Sequence, residues 1–322
     1  MKQASRRRSA GMTLVELMVA MVVGLMIALA AASALVAARR GFATVDAASQ
    51  LRDNARFATE FIRRLAVQAG YKDLAFAATK RGSAVGLSAA PLPQVFGFDN
   101  AIADRNSLAA GATRPPDTFG DVLVLRFQAT ETFPGSGKAD EAMIDCAGVR
   151  ADSLPTNRDD VRTSVLFVAP SNDGEPALKC YRSDTGSPPF KPADVLVRGV
   201  ENFQVMYGVD GVKPGAAIDA ADPTSKPDSV PERYLRADQF TVPGDPAATQ
   251  ANWRRVRSLR IGMVLRSDPG AAVETKSTTL YPLGGSAFAS TQDEGTIFVT
   301  PADNRLRQVV TFTVHLRNDQ GL

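Results

Sequence analysis

The sequence predicts an α+β protein in which one long N-terminal helix precedes a domain of antiparallel strands. Three observations predict this fold. An uninterrupted apolar run covers residues 17–38, an amphipathic helical pattern follows it directly, and β-type segments recur after residue 120. A helix followed by a series of strands is the element order of an α+β domain. An apolar run and a soluble domain in one chain together predict a membrane-attached protein.

The apolar run is long enough to cross a membrane. As a helix, its roughly 22 residues span about 33 Å, against a bilayer core of about 30 Å. Lys2, Arg6, Arg7 and Arg8 precede it, and residues 1–11 contain no acid. Removing these four charges changes the formal net charge from +3 to −1. The basic balance therefore belongs to a leader segment and does not indicate a nucleic-acid-binding surface.

Three interpretations fit this N-terminal segment. It can be a secretory signal peptide cut near the small residues at 30–34, although the run is long for one and Glu16 stands at its start. It can be an uncleaved anchor with its N-terminus in the cytoplasm, as the leader cations favour. The third interpretation accounts for the most residues. Gly11-Met12-Thr13-Leu14-Val15-Glu16 resembles the class III leader of type IV pilins and pseudopilins.

The resemblance implies processing and assembly roles for three residues. In that family a prepilin peptidase cuts after the glycine, here Gly11, and the new first residue, here Met12, is methylated. Met12 stands where the family usually has phenylalanine. The family glutamate at mature position five corresponds to Glu16, which pairs with the N-terminal amine of a neighbouring subunit.

Glu16 also has a purely structural interpretation. Thr13 and Glu16 have the spacing of a capping box, in which both side chains satisfy backbone groups at a helix start. The two roles are compatible. A carboxylate at a membrane position costs roughly 3 kcal/mol, so a cationic partner is expected in addition to the cap.

The apolar run continues into an amphipathic helix. The apolar positions recur at steps of three and four residues: Leu51, Ala55, Ala58, Ile62, Leu65 and Ala69. We therefore expect one helix over residues 13–69, with Gly41 as a candidate weak point and Gly70 as the C-terminal stop. Its second half is expected to cover a sheet.

The remaining chain predicts strands separated by two long loops. Predicted strands cover residues 121–127, 163–169, 177–182, 195–210, 253–267 and 306–318. The last two alternate apolar and polar residues, which predicts a sheet with one wet face. The predicted organisation is a leader at 1–11, a transmembrane assembly helix at 12–38, an amphipathic helix at 39–70 and a β-rich head at 71–322. Long loops are expected at about 72–120 and 211–251, the second interrupted by a turn of helix at 234–240.

Cys146 and Cys180 are the only cysteines, and both fall in the predicted head. A lone pair in an exported domain favours a disulfide over a metal site, and free buried thiols remain an alternative. A bridge would close a loop of about 35 residues and contribute roughly 4 kcal/mol.

The resemblance extends beyond the leader. Residues 52–58 and 69–71 are similar to the end of the N-terminal helix in PilW-type minor pilins, and residues 200–210, 253–266 and 305–318 are similar to their C-terminal blocks. This implies a minor pilin that is held in the inner membrane with its head in the periplasm and then passes to the pilus. Implied partners are the major pilin and other minor pilins, prepilin peptidase, the inner-membrane assembly platform and an adhesin-like tip subunit. Implied roles are priming of assembly, adhesion and twitching motility.

The sequence offers no catalytic constellation, so we expect no enzyme, no cofactor and no metal centre. His315 is the only histidine and lies on the polar face of the last predicted strand. The acidic loops 172–175 and 219–228 do not have EF-hand spacing, which leaves calcium binding there an open question.

Two rival functions remain at this stage. One is a J-type pseudopilin of type II secretion, and the other is a membrane-anchored periplasmic binding or adhesion domain that does not polymerise. An exported hydrolase is disfavoured because no catalytic group is recognisable.

Overall fold

A computed structural model describes residues 11–73, 93–108, 119–156, 160–272 and 276–318. The leader cations and most of the predicted loop at 72–120 lie outside these residues. Helix α1 (Leu14–Gln68) is a single α-helix of 55 residues that runs through Gly41 without a break. Thr13 is its N-cap, and Gly70 follows the C-cap residue with φ +79°. Both predicted ends of the helix are thus confirmed.

The head contains two five-stranded sheets where the sequence predicted one. In the first sheet β1 (Val95–Phe98), β3 (Val122–Phe127), β4 (Arg162–Pro170), β5 (Pro176–Ser183) and β6 (Lys191–Arg198) lie in the order β1-β3-β4-β5-β6. All of its strand pairs are antiparallel.

The second sheet has the order β12-β9-β7-β2, with β8 also paired to β7. Its strands are β2 (Phe119–Gly120), β7 (Val200–Val209), β8 (Arg233–Leu235), β9 (Val256–Arg266) and β12 (Arg307–His315). The short β2 pairs with β7 in parallel, and the other pairs are antiparallel. A separate hairpin-like pair joins β10 (Thr279–Leu280) to β11 (Phe298–Val299).

The single strand predicted at 195–210 is wrong. Gly199 adopts φ +77°, and an added Cβ there would lie 2.5 Å from the carbonyl oxygen of Arg266, so the position accepts only glycine. The break separates β6, in the first sheet, from β7, in the second. One apolar run in the sequence therefore supplies a strand to each sheet.

The predicted strand at 253–267 also needs correction at its start and on its wet face. Trp253 ends helix α2 (Pro246–Trp253) and packs on Phe240 with ring centroids 3.8 Å apart. The polar face of β9 is not wet, because the segment around Pro282 covers it and Arg260 donates to the carbonyl oxygen of Leu283 at 2.8 Å. Alternation predicted the strand but could not reveal this second cover.

The second half of α1 packs on the head as predicted. Its buried residues are Leu51, Ala55, Ala58, Ile62, Leu65 and Ala66, and they belong to one core with residues from both sheets. Asn318 donates from Nδ2 to the carbonyl oxygens of Val67 and Ala69 at 3.2 and 3.0 Å, which fixes the end of the helix to the end of the described chain. Among helix and strand contacts, α1 meets β3, β6, β9 and β12.

The loop predicted at 211–251 carries more structure than expected. It contains β8, a 3-10 helix at Pro223–Ser225, a second at Ala237–Phe240 and most of α2. The predicted turn of helix is thus present. Proline prevents a longer strand here, yet Pro223 and Pro246 each occupy a first-turn position where a helix tolerates them.

Candidate functional site

Residues 14–43, here called the first half of α1, contact nothing else in the described chain. Every residue from 11 to 43 is exposed, including large apolar side chains such as Met18, Leu25 and Ile27. The helix is long and apolar enough to cross a membrane, and its most apolar stretch has no buried residue. Exposed apolar surface on this scale calls for lipid or partner helices.

Glu16 lies at the entrance of this segment and forms the predicted capping box. The backbone N–H of Thr13 donates to Oε2 of Glu16 at 2.9 Å, and the backbone N–H of Glu16 donates to Oγ1 of Thr13 at 3.3 Å. The Thr13 hydroxyl also donates to Oε2, at 3.0 Å. Among described residues Oε1 accepts no hydrogen bond, so one carboxylate oxygen is left for a second donor.

Gly11 and Met12 lie directly before this cap, and both are exposed. No described side chain contacts Gly11, since even an added Cβ would meet nothing within 4 Å. The structure therefore brings Thr13 and Glu16 together and leaves the predicted cleavage point Gly11–Met12 accessible beside them.

Cys146 and Cys180 form a disulfide, with Cα atoms 6.2 Å apart. Both residues are fully buried. Cys180 lies in β5, and Cys146 belongs to the irregular segment between β3 and β4. That segment is also tied to β4, where the Ser164 hydroxyl accepts from the backbone N–H of Cys146 at 3.0 Å. The bridge thus anchors a long connection to the first sheet.

A group of buried carboxylates joins the two sheets, and the sequence analysis did not predict it. Asp121, 1% exposed, accepts from the backbone N–H of Asn100 at 3.0 Å and from that of Val205 at 2.7 Å. Asp99 accepts from the backbone N–H groups of Ala237 and Asp238 at 3.0 and 2.7 Å. These bonds tie the turn after β1 to the second sheet and to the 3-10 helix after β8. We call Asp99, Asp121 and Asp293 the acid junction.

Burial sets the protonation of the acid junction. Desolvation raises the pKa of Asp99 to about 7, despite its two backbone donors. Desolvation, with the nearby charges of Asp99 and Asp293, raises the pKa of Asp121 well above its ordinary value. Asp293 accepts from Nδ2 of Asn100 at 3.0 Å, and burial raises its pKa as well. The only signal for the acid junction in the sequence is Asp121, which directly precedes the apolar strand β3.

Three carboxylates from separate positions meet beside the loop predicted as a calcium candidate. Oxygens of Asp210, Asp228 and Glu232 lie within 4.8 Å of one another. Arg257 and Arg255 approach Asp210 to 3.4 and 3.8 Å, so two guanidinium groups already compensate the buried carboxylate. The geometry is that of an ion-paired cluster and gives no reason to assign a cation.

His315 lies at the exposed end of β12. His315 is paired in register with Ser258 of β9, and no described side chain hydrogen-bonds to its ring. Among the described residues the acid junction has no histidine or lysine either; Asp99 and Asp121 accept from backbone N–H groups, and Asp293 accepts from the Asn100 side chain.

Comparison with known proteins connects both ends of the chain to one class. No curated protein sequence matches the chain. Among solved structures, a type IV-like pilin from Thermus thermophilus aligns with 84% of this chain and 98% of its own, at 13% identity and a TM-score of 0.40. The prokaryotic N-terminal methylation motif matches residues 6–32, which include the predicted cleavage point and Glu16. The family of type IV pilus-assembly protein W matches residues 165–318, which include β5, β7, β9 and β12. A pilin-type leader ahead of an exposed apolar helix, together with a head that matches the PilW family over residues 165–318, makes this chain similar to the type IV pilins of the PilW type.

Proposed function

We propose that this protein is a minor pilin, a non-catalytic subunit that primes assembly of a type IV pilus and lies near its tip. It is held in the inner membrane with its head in the periplasm until it enters the fibre. Through the fibre it supports adhesion and twitching motility.

The observation that carries this proposal is the exposed first half of α1 with Glu16 at its start. The apolar face is complete around the helix, so a bundle of neighbouring helices can cover it as lipid does. Among the described residues, one oxygen of Glu16 accepts no hydrogen bond while the other caps the helix. A cationic amine on an adjacent subunit would neutralise this carboxylate as water is excluded.

The size of the head favours a small number of copies. Two five-stranded sheets and their long connections surround only the second half of α1. A helical filament places its heads side by side, and a bulky head limits how many can be neighbours. A priming subunit at the tip meets that restriction, with the major pilin and other minor pilins as partners below it and an adhesin-like subunit beside it.

Processing of the leader is the first step that this function requires. Mass spectrometry of the mature protein from its own cells should give a first residue of methylated Met12. A Gly11→Val variant should keep its leader, because the residue before the cut must be small. Gly41→Val is the matched control, since an added side chain at Gly41 also meets open space but lies far from the cut.

Other start points would contradict the proposal. Retention of Met1 in cells that possess the peptidase indicates an anchored domain that does not polymerise, and a start near Leu35 indicates a signal peptide. A methylated start combined with incorporation into a secretion pseudopilus indicates the J-type pseudopilin instead. Purified pili, probed for this chain, separate that outcome from a pilus subunit.

A further inference from the structure

The edge strands β6 and β12 of the two sheets differ in how they are protected. Edge strands expose unpaired backbone groups, and soluble proteins block them with charge, proline or bulges. β6 in the first sheet has all three devices. It begins with Lys191-Pro192, contains Asp194, and its pairing with β5 shifts register twice.

β12 in the second sheet has none of these devices after its first residue, Arg307, whose charge is paired with Glu201 and Asp303. Its nine residues pair with β9 in continuous register, and residues 308–314 contain no charge, proline or glycine. The backbone N–H of Leu316 donates to the carbonyl oxygen of Arg257, and the backbone N–H of Ser267 donates to that of Leu306. The backbone N–H and C=O groups of the even-numbered residues of β12 therefore point towards β9. The N–H and C=O groups of Val309, Thr311 and Thr313 therefore point outward, and no described strand pairs with them.

A groove runs between this open edge and α1. It has a volume of 570 Å³ and is lined by Arg52, Ala55, Arg56, Thr59, Glu60, Gln308 and Val310. Arg52 and Arg56 are exposed, and no described carboxylate forms an ion pair with either. Glu60 is paired instead with Arg63, at 3.6 Å. The groove thus offers apolar contact, open ladder positions and uncompensated positive charge at one end.

We propose that a β-strand from a different pilin-type subunit completes the second sheet by pairing antiparallel with β12. The strand would alternate apolar and polar residues, with apolar side chains over Val310 and Phe312. It would place a carboxylate against Arg52 and Arg56. This inference rests on the proposed function, because it names the surface through which a neighbouring subunit contacts the head. Backbone pairing supplies affinity, and the arginines select the partner.

Charge excludes a second copy of this chain as the occupant. Suppose that β12 paired antiparallel with β12 of a second copy, centred on Thr311. The N-terminal end of β12, which lies beside Arg52 and Arg56, would then meet the C-terminal end of β12 in the second copy. That end carries Arg317. Cations would then face cations at both ends of the pairing, which disfavours it. An acidic strand from another subunit removes the conflict.

The test places the photo-crosslinking residue p-benzoylphenylalanine at Gln308 in the full chain, in cells that assemble the fibre. We expect a crosslink to a strand of another pilin-type subunit, with the crosslinked residue identified by mass spectrometry. The same residue at Val195, which is 44% exposed on the protected strand β6, should give no such product. A product containing two copies of this chain, or no product at Gln308, would overturn the proposal.

Two variants test the pairing itself. Thr313→Pro removes an outward N–H without removing a ladder bond to β9, and it should lower the crosslinked fraction by about tenfold. Thr313→Val keeps the N–H and should behave as the parent chain. Arg52→Glu with Arg56→Glu should also abolish the product, whereas Arg64→Glu, outside the groove, should not. Unchanged crosslinking in both the proline and the double glutamate variants contradicts the assignment.

Failure of this inference is distinguishable from failure of the proposed function. If Met12 is methylated and the chain enters pili but Gln308 gives no crosslink, only the strand pairing is wrong. If the leader is retained and the chain is absent from pili, the minor-pilin proposal itself fails.

Discussion

The first half of α1 and the head are stabilised in opposite ways. In the head, α1 from Leu51 onward, both sheets and a disulfide share one core. In the first half of the helix, the described bonds beyond the helix backbone are local, such as the cap between Thr13 and Glu16 and the Ser33 hydroxyl donating to Ala30. One region is complete by itself, and the other needs a membrane or other helices.

This difference separates assembly from stability. Substitutions in the first half of α1 should change where the protein goes and leave the unfolding of the head unchanged. Substitutions in the head should change unfolding first. The predictions below test that separation, beginning with the largest expected effect.

Glu16→Gln should abolish incorporation into pili. Glutamine keeps an oxygen for the cap at Thr13 but has no negative charge to pair with a neighbouring amine. The measurement is the amount of this chain in purified pili relative to the membrane, together with the melting temperature of the head, which should not change. Glu141→Gln is the matched control, because Glu141 is an exposed head residue that pairs at the surface with Arg150 at 3.3 Å and does not line the groove beside β12. Normal incorporation of Glu16→Gln would show that the carboxylate serves the cap alone.

Replacing Cys146 and Cys180 together by serine should destabilise the head by about 4 kcal/mol. The bridge closes a loop with a sequence separation of 34, and a cross-link of that length restricts the unfolded chain by about this amount. Denaturant unfolding of the full chain in detergent measures the loss. Cleavage and methylation at Gly11 and Met12 should continue, since the bridge is in the other region. Equal stability with and without the bridge would contradict the prediction.

Ile62→Ala and Ile27→Ala compare the same chemical change in the two regions. Ile62 is 0% exposed in the core, and its truncation should cost about 2–5 kcal/mol because it leaves a cavity. Ile27 is 64% exposed, so its truncation should leave the unfolding free energy of the head unchanged. Comparable losses at both positions would show that the first half of α1 contributes to the stability of the head.

The smallest effect expected is a pH dependence centred on the acid junction. The pKa of Asp99 rises from 3.8 to about 7 on folding, so between these values the folded state holds a proton that the unfolded chain has released. Stability is therefore full below about pH 4 and declines as the pH rises towards 7. The melting temperature should be higher at pH 5 than at pH 8.

The variant Asp99→Asn isolates that contribution. It should lower the melting temperature somewhat at pH 5, because asparagine lacks one of the two carboxylate oxygens that accept from the backbone N–H groups of Ala237 and Asp238, and it should reduce the difference between pH 5 and pH 8. Hydrogen bonds from Arg305 lower the pKa of Glu175 below its ordinary value of 4.5, so its stabilising contribution is lost mainly below pH 5 and changes little between pH 5 and pH 8. A pH difference as large in the variant as in the parent chain would remove Asp99 as its source.

The sequence was sufficient for elements whose signal is periodic or local. Both ends of α1, its buried face and the strands 163–169 and 177–182 follow from apolar spacing and from Gly70. The PilW-type family was recognisable because the leader motif and the strand blocks are short and continuous.

What escaped prediction depends on contacts between distant segments. The apolar run at 195–210 predicts a single strand. In the structure, the close approach of Arg266 to Gly199 divides this run between two sheets. The polar face of β9 appears wet until Pro282 covers it. The acid junction depends on contacts among residues 99, 121, 205 and 237, which are far apart in the sequence. No local sequence pattern predicts these contacts. Tertiary contacts decide these features.

The first contact between helix and head has a mechanical consequence. The Thr44 hydroxyl donates to the carbonyl oxygen of Ala271 at 2.8 Å, only about 9 Å along the helix from the end of the apolar run at Ala38. With the run in the proposed inner membrane, no slack tether separates the folded body from the lipid surface. A force on the membrane-embedded part of α1 would be transmitted directly to the head. Extraction of the subunit from the bilayer would therefore move the helix and the head together as a rigid unit.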